Sequence, residues 1–506
     1  MHKYSLKAAT VAAVSFPFSV GAQGLGRFQK FNTSDAIVPV LEVQKFGPTE
    51  GGFLFLNTQT NTSTVPAIFT DDGSLVWCDD QFEHSTSVWP IGPLRPQKVR
   101  NQTLLFNWVG PVYNEGLGWG TIQVFDDSYT NIYNVTLEES FQIFDHIKHS
   151  SYMDFHESEV TDNQTILVTA VNITTADMTA VGGPGDGYVI DSQFYEIEIP
   201  SNKVVFRWSS VEHVDQIPLN HSLLPLESLI SGNGTSFEHP WGYFHINSVK
   251  KYGNDYLISS RLLCSLFYID AGGNVLWTLS GQNGGDFRLG ENTRFCYQHD
   301  ARIAYQDADR MTITLHDNGD TEYDNNTLTR GLSLDLDMST KLVTVNRSLS
   351  NPTGPVFAVS QGSYQDLSDG HVLLGHGAVP VVEEYDADGN IAMLITFGTY
   401  YLQQSYRAYR YPWTGRPATP PRVVAFEGEG TDVYMSWNGA TDLAEWSVYC
   451  GQPNGGGFSK QATVRWAGFE TAVNIPQKCQ SVQAEAVTTS GQRTNSSIVT
   501  VGKFGL

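Results

Sequence analysis

Three histidines recur at one place in a repeating pattern: His156 in DFHESEV, His245 in YFHINSV and His299 in YQHDARI, each four residues ahead of Val160, Val249 or Ile303. The next unit reads SQGSYQ and puts Gln361 at that place. One strand histidine is ordinarily a hydrogen-bonded core residue. Three in register are demanded by no packing rule and point to a shared site. Two chemistries suit such a set: a tri-histidine zinc centre, or imidazoles that handle an anion and its protons. Arg261, in ISSR, lies sixteen residues after His245, on the strand expected to follow it. A guanidinium repels a divalent cation and offers paired N–H donors to an oxyanion, so the set tilts toward anion chemistry. Asp154 and Asp300 are candidates to orient ring N–H groups.

The elements that must position these side chains are themselves repeated. Six hairpin-like units begin at Ala67, Ile122, Phe194, Leu266, Leu332 and Glu383. Asp72-Gly73, Gly272-Gly273 and Asp388-Gly389 supply turn dipeptides between their β-rich runs. A further strand precedes each hairpin, as in NQTLLFNWV and GNDYLISSR, and one more before it gives four strands per unit. Turns recur at roughly 63-residue spacing, acceptable for propeller blades with insertions. The pattern predicts a six-bladed β-propeller whose first strands line the central channel, bringing the histidines of three successive blades to one spot; an irregular pair of β-sandwiches is the blander alternative. Closure also has a candidate strand at Val38 to Val43.

The sequence opens with Lys3 and Lys7, a short apolar run, and Val20 and Ala22 at the small-residue positions of a cleavage site, so residues 1–22 read as a secretory signal peptide. Eleven Asn-x-Ser/Thr sequons between Asn32 and Asn495 agree with a secreted, extracellular, N-glycosylated protein. Removing residues 1–22 takes away two lysines and no acid, moving the net charge from −23 to −25. So acidic a surface argues against nucleic acid and anionic membranes as partners and makes a local cationic pocket necessary for any anionic substrate. Among five cysteines, Cys450 with Cys479 is the expected disulfide, Cys264 with Cys296 the second, and Cys78 is outside both.

The runs DFHESEVTDNQTILVT, YFHINSVKKYGNDYLISSR, QHDARI and SYRAYRYPWTG resemble the arylsulfotransferase family, in particular its secreted fungal branch, over about residues 26–415. The resemblance implies a six-bladed propeller and an aryl sulfate sulfotransferase that moves a sulfuryl group between small phenols without a nucleotide sulfate donor, cofactor or metal. By position it implies His156, His245, Arg261 and His299 as the catalytic residues, with His299 the nucleophile. Leu263 and Cys264 beside Arg261, and His316 and His376 in LHDNG and LGHG, depart from the family's usual residues. In this reading Arg261 and two histidines cradle the sulfuryl oxygens, and their charge keeps the third imidazole neutral and nucleophilic.

RPATPPR, residues 416–422, reads as an extended proline-rich linker after a propeller over 23–415. Beyond it, residues 423–506 carry short strands such as EWSVYC and SVQAEAVTT at the spacing of an immunoglobulin- or fibronectin-like β-sandwich, with Trp437 as its core tryptophan. Two other function classes stay open at this point: a non-catalytic propeller that binds a phenolic or sulfated glycan ligand, and a tri-histidine metalloenzyme.

Overall fold

The computed structural model describes residues 27–59, 64–79, 92–113, 116–144, 147–228, 231–319, 328–400, 402–451 and 457–503. The signal expected over residues 1–22 and the sequons at Asn61 and Asn325 lie outside them. The protein is all-β, with only short 3-10 turns besides strands among the described residues.

The six hairpins of the sequence are the third and fourth strands of six antiparallel sheets. At every hairpin the turn holds one residue in the left-handed region, namely Gly73, Tyr129, Asn202, Gly273, Lys341 and Gly389. A register shift then follows in each of the six strand pairs. A left-handed residue followed by a bulge closes a hairpin with the twist its strands prefer. Asp270 and Asp386 brace two of these turns by accepting backbone N–H bonds from Asn274 and Asn390, both at 2.8 Å.

Each sheet has an inner strand: Ala408–Tyr411, Arg95–Val99, Met153–Val160, Ile246–Tyr252, His299–Gln306 and Ser363–Asp366 for the first to the sixth. Successive inner strands touch one another, and the sixth returns through Ala408–Tyr411 to Arg95–Val99, so the contacts form a closed cycle. No sheet curls into a barrel. An apolar cluster fills each seam between neighbouring sheets, for example Phe106 and Trp108 against Ile166 and Tyr195, or Phe194 and Trp208 against Phe244 and Phe267. Burial of these large side chains is the main force holding the sheets together.

The first sheet is composite. Phe53–Gln59, Thr64–Phe69 and Leu75–Cys78 come from the N-terminal part of the chain, and their inner neighbour, Ala408–Tyr411, comes from far downstream. Glu42–Lys45 adds to the outer edge of the sixth sheet beside Ile391–Thr396. Val38–Pro39 pairs instead with Phe28–Gln29.

Residues 422–500 form two more antiparallel sheets, one from Arg422–Glu427, Thr431–Ser436 and Glu470–Ile475, the other built around Leu443–Gly451 and Ser481–Thr488. They share one apolar cluster with Trp446 and Val448 at its centre. Trp446, not Trp437, is the fully buried tryptophan; Trp437 is partly exposed and donates its indole N–H to the Thr419 carbonyl at 2.7 Å. The segment before these sheets is tied down. Trp413 donates to the Tyr129 hydroxyl at 2.9 Å, Tyr129 donates to the Gly439 carbonyl at 2.9 Å, and Asn438 bonds both the N–H and the carbonyl of Cys78. Both expected disulfides, Cys264–Cys296 and Cys450–Cys479, are formed, and Cys78 is buried outside them.

Candidate active site

The three histidine-bearing strands are irregular where the histidines sit. The register slips between Asp154 and Ser158, between Ile246 and Ser248, and between His299 and Arg302. These bulges take the backbone out of ladder pairing and re-aim side chains inward. His245 lies one residue ahead of its strand, at φ 61°, and its carbonyl accepts the Arg261 N–H at 3.0 Å. Arg261 is correspondingly the first residue of the turn after Asp255–Ser260 rather than a strand residue. The positive φ at His245 explains both departures, because it swings the chain off the ladder one residue before pairing begins.

His156 and His245 are in contact, with their Nε2 atoms 3.1 Å apart. His156 Nδ1 meets the carboxylate of Asp154, which also accepts the Gly118 N–H at 2.8 Å and the Thr169 hydroxyl at 3.0 Å. Asp154 is thus the expected orienting carboxylate. Asp300 is not one: it pairs with Arg302 at 2.6 Å and Arg407 at 3.3 Å, because its left-handed backbone, φ 54°, turns it away from the rings.

His299 joins the group through Tyr406, whose ring stands edge-on to His156 and His299, with centroids 5.5 and 6.5 Å apart. His299 Nδ1 faces Asn318 Oδ1 at 2.8 Å, and His299 Nε2 accepts the Gln361 backbone N–H at 3.2 Å. Gln361, the residue aligned with the histidines, therefore stands beside them. Arg261 is buried, donates to the Val359 carbonyl at 3.3 Å and lies 4.7 Å over the Tyr297 ring. With His245, Tyr243 and Leu262 it lines a cavity of about 30 Å³. The Cys264–Cys296 disulfide ties the two flanks together, its half-cystines lying three residues after Arg261 and three before His299.

The electrostatics are those of a charge-sharing group. Burial holds His245 well below the usual histidine pKa, and the nearby His156, Arg261 and His299 push the same way. Burial does the same to His299, followed by Arg261. Both imidazoles are neutral near pH 7, ready to act as bases or nucleophiles.

Sequence reasoning missed a buried ion cluster packed against this group. Arg407 donates to the backbone carbonyls of His156 at 3.0 Å and Asn247 at 2.9 Å. Around it Arg95 and Arg302 meet Glu157 and Glu159, Arg302 Nη1 lying 2.7 Å from Glu157 and 3.1 Å from Glu159. Burial alone would raise the pKa of Glu157, but Arg302, Arg407 and Arg95 hold it below the usual range. The available signal was the opposite charges in HESE and HDAR, on strands expected to be innermost. His316 and His376 form a separate buried chain, His316 Nε2 to His376 Nδ1 at 3.2 Å and His376 Nε2 to Glu383 at 3.0 Å. Burial, with His376 next to it, pushes His316 down to about 3.

Solved structures that overlap this chain include a Pseudomonas aeruginosa periplasmic gluconolactonase (13% identity, 84% of this chain and 99% of that one, TM-score 0.33). Another is a Penicillium chrysogenum alpha-L-arabinanase complexed with arabinobiose (9% identity, 81% and 93%, TM-score 0.34). Overlaps this loose say nothing about chemistry. No curated protein matches the chain. The family model described as arylsulfotransferase (ASST) matches residues 95–398, which hold all four candidate residues and more than half of the sequence, and the chain belongs to the arylsulfotransferase family.

Proposed function

We propose that this protein is an aryl sulfate sulfotransferase that passes a sulfuryl group from an aryl sulfate to a phenolic acceptor through His299. The observation that carries the reading is a neutral, buried imidazole whose Nε2 lone pair lies in the same group as Arg261 and two further histidines. Released from the Gln361 N–H, the Nε2 lone pair attacks sulfur, the bond from sulfur to the aryl oxygen breaks, and its electron pair leaves with the phenolate. In the second half-reaction the acceptor oxygen attacks sulfur and the N–S pair returns to Nε2. The leaving phenolate takes its proton from solvent, and the His156–His245 pair, anchored on Asp154, takes one from the incoming phenol and returns it to solvent, so the cycle leaves the proton count unchanged. Arg261 neutralises charge on the sulfuryl oxygens, where a loose transition state needs it most.

In this proposal the six sheets are the blades of a six-bladed propeller over residues 23–415. Residues 423–506 are an accessory β-sandwich beyond the 416–422 linker. The protein is secreted, as in the fungal branch, with N-glycans and small phenols as its partners.

The test is to incubate the protein with an aryl sulfate, quench, and search for a sulfuryl adduct on the His299 peptide by mass spectrometry. An adduct, together with loss of transfer in a folded His299→Ala variant, is the expected result. Full-rate transfer by His299→Ala would place the nucleophile elsewhere. Saturable binding without product would favour the ligand-binding alternative, and stoichiometric metal surviving dialysis would favour a metalloenzyme. Arg261→Ala should weaken both donor binding and rate; His156→Ala and His245→Ala should chiefly slow the reaction.

A further inference from the structure

We infer that Asn318 is a positioning residue that fixes which nitrogen of His299 carries the hydrogen, and so which one attacks. The inference rests on the reading of His299 as the nucleophile. Asn318 is fully buried, just beyond the end of Arg310–Asp317, the strand paired with that of His299. Its Nδ2 lies 2.9 Å from the Ala358 carbonyl and 3.0 Å from the Gln361 carbonyl. Carbonyl oxygens only accept hydrogen bonds, so the amide group facing them must be the NH2. The reversed orientation would set an oxygen against two oxygens. With the amide fixed this way, the atom facing His299 Nδ1 at 2.8 Å is Oδ1, an acceptor, and Nδ1 must carry the hydrogen.

The other side of the ring gives the same answer independently. The Gln361 backbone N–H can only donate, and it points at Nε2 from 3.2 Å, so Nε2 presents its lone pair. The segment Ala358–Gln361 thus orients Asn318 and caps the Nε2 lone pair, and the Gln361 N–H must give way before that nitrogen attacks. When Nε2 takes the sulfuryl group, the ring becomes an imidazolium that keeps its hydrogen on Nδ1, and Asn318 Oδ1 stabilises that charge without itself becoming charged. A partner behind a reactive imidazole that sets its tautomer is a recurrent device, and its loss costs about 10- to 100-fold in activity.

The tautomer can be read in the resting protein, without substrate. With nitrogen-15-labelled histidine, His299 is identified by the signals missing from His299→Ala. Wild type should show a hydrogen-bearing Nδ1 and a lone-pair Nε2. Asn318→Leu, similar in size but without an acceptor, should turn this into a mixture of tautomers. The burst of phenol released from an aryl sulfate should slow about 10- to 100-fold in Asn318→Leu with the donor KM unchanged. A hydrogen on Nε2 of wild-type His299, or an unchanged burst in Asn318→Leu, would overturn the inference. A wild-type protein with the expected tautomer but no transfer would overturn the proposed function and leave the role of Asn318 in place.

Discussion

The two disulfides do different work because they lie in regions held together differently. Cys450–Cys479 sits in the apolar core between the C-terminal sheets, among Trp446, Val448 and Val482, where no ionised group is part of the cluster. Cys264–Cys296 lies beside Arg261 and Tyr297, next to a group that holds its histidines with a carboxylate, an amide and a cluster of arginines. In the first region a cross-link restrains the unfolded chain. In the second it also ties together the segments that carry Arg261 and His299, the two side chains that the proposed function brings onto one substrate. Apolar packing tolerates small shifts, whereas hydrogen-bonded polar groups do not.

This contrast can be broken at several points. Among substitutions the largest effect is expected at the ion cluster, which has no counterpart among the described residues of the C-terminal core. Arg407→Leu leaves Glu157 and Asp300 with less compensation in a buried place and should cost about 3–5 kcal/mol in urea unfolding. A loss below about 1 kcal/mol would show that water reaches the cluster. Next come the disulfides. Replacing Cys450 and Cys479 by alanine should cost about 2–4 kcal/mol and leave sulfuryl transfer unchanged. The same change at Cys264 and Cys296 should cost similar stability and also slow transfer, by up to about 100-fold, because a 1 Å misplacement suffices for that. Equal transfer rates in the two double variants would erase the distinction.

A further contrast is a slope with pH. His245, His299 and His316 have pKa values lowered by burial in the folded protein, while the unfolded chain takes up protons near the ordinary histidine value of about 6.5. Their contribution is complete above about pH 6.5 and is lost as the pH falls toward the folded values, at about 1.4 kcal/mol per pH unit for each histidine. Residues 422–500 contain no histidine. Urea midpoints taken from pH 7.5 to 5 should therefore fall for the six-sheet region and stay level for the C-terminal sheets. Transfer should show no acid limb at pH 6.5 from protonation of His299, since burial keeps that ring neutral well below it.

Much of this was legible in the residues. Turn dipeptides marked three of the six hairpins, register gave the histidine set, and cysteine positions gave both disulfides. The exact backbone at His245 was not legible, because nothing in YFHINSV announces a left-handed histidine. Asn318 was passed over because LHDNG reads locally as a strand end and a turn, and its role arises only when residues 358–361 fold against it. Propensity and spacing report local geometry, while the partners of a buried polar atom come from distant parts of the chain.

The composite first sheet bears on the order in which the protein is made. Phe53 pairs with Tyr411, so the strands synthesised first wait for almost the last strand of this region before their sheet is complete. Tyr406 and Arg407, on the approach to that strand, are the residues that touch His156 and His299 from the closing side. A nascent chain halted before residue 406 holds all three histidines and Arg261 yet lacks the ring and guanidinium that seat them. Long-range closure of this kind is slow and comes late. On the proposed reading, sulfuryl transfer is thereby withheld from every unfinished chain and begins only when the whole ring has been made.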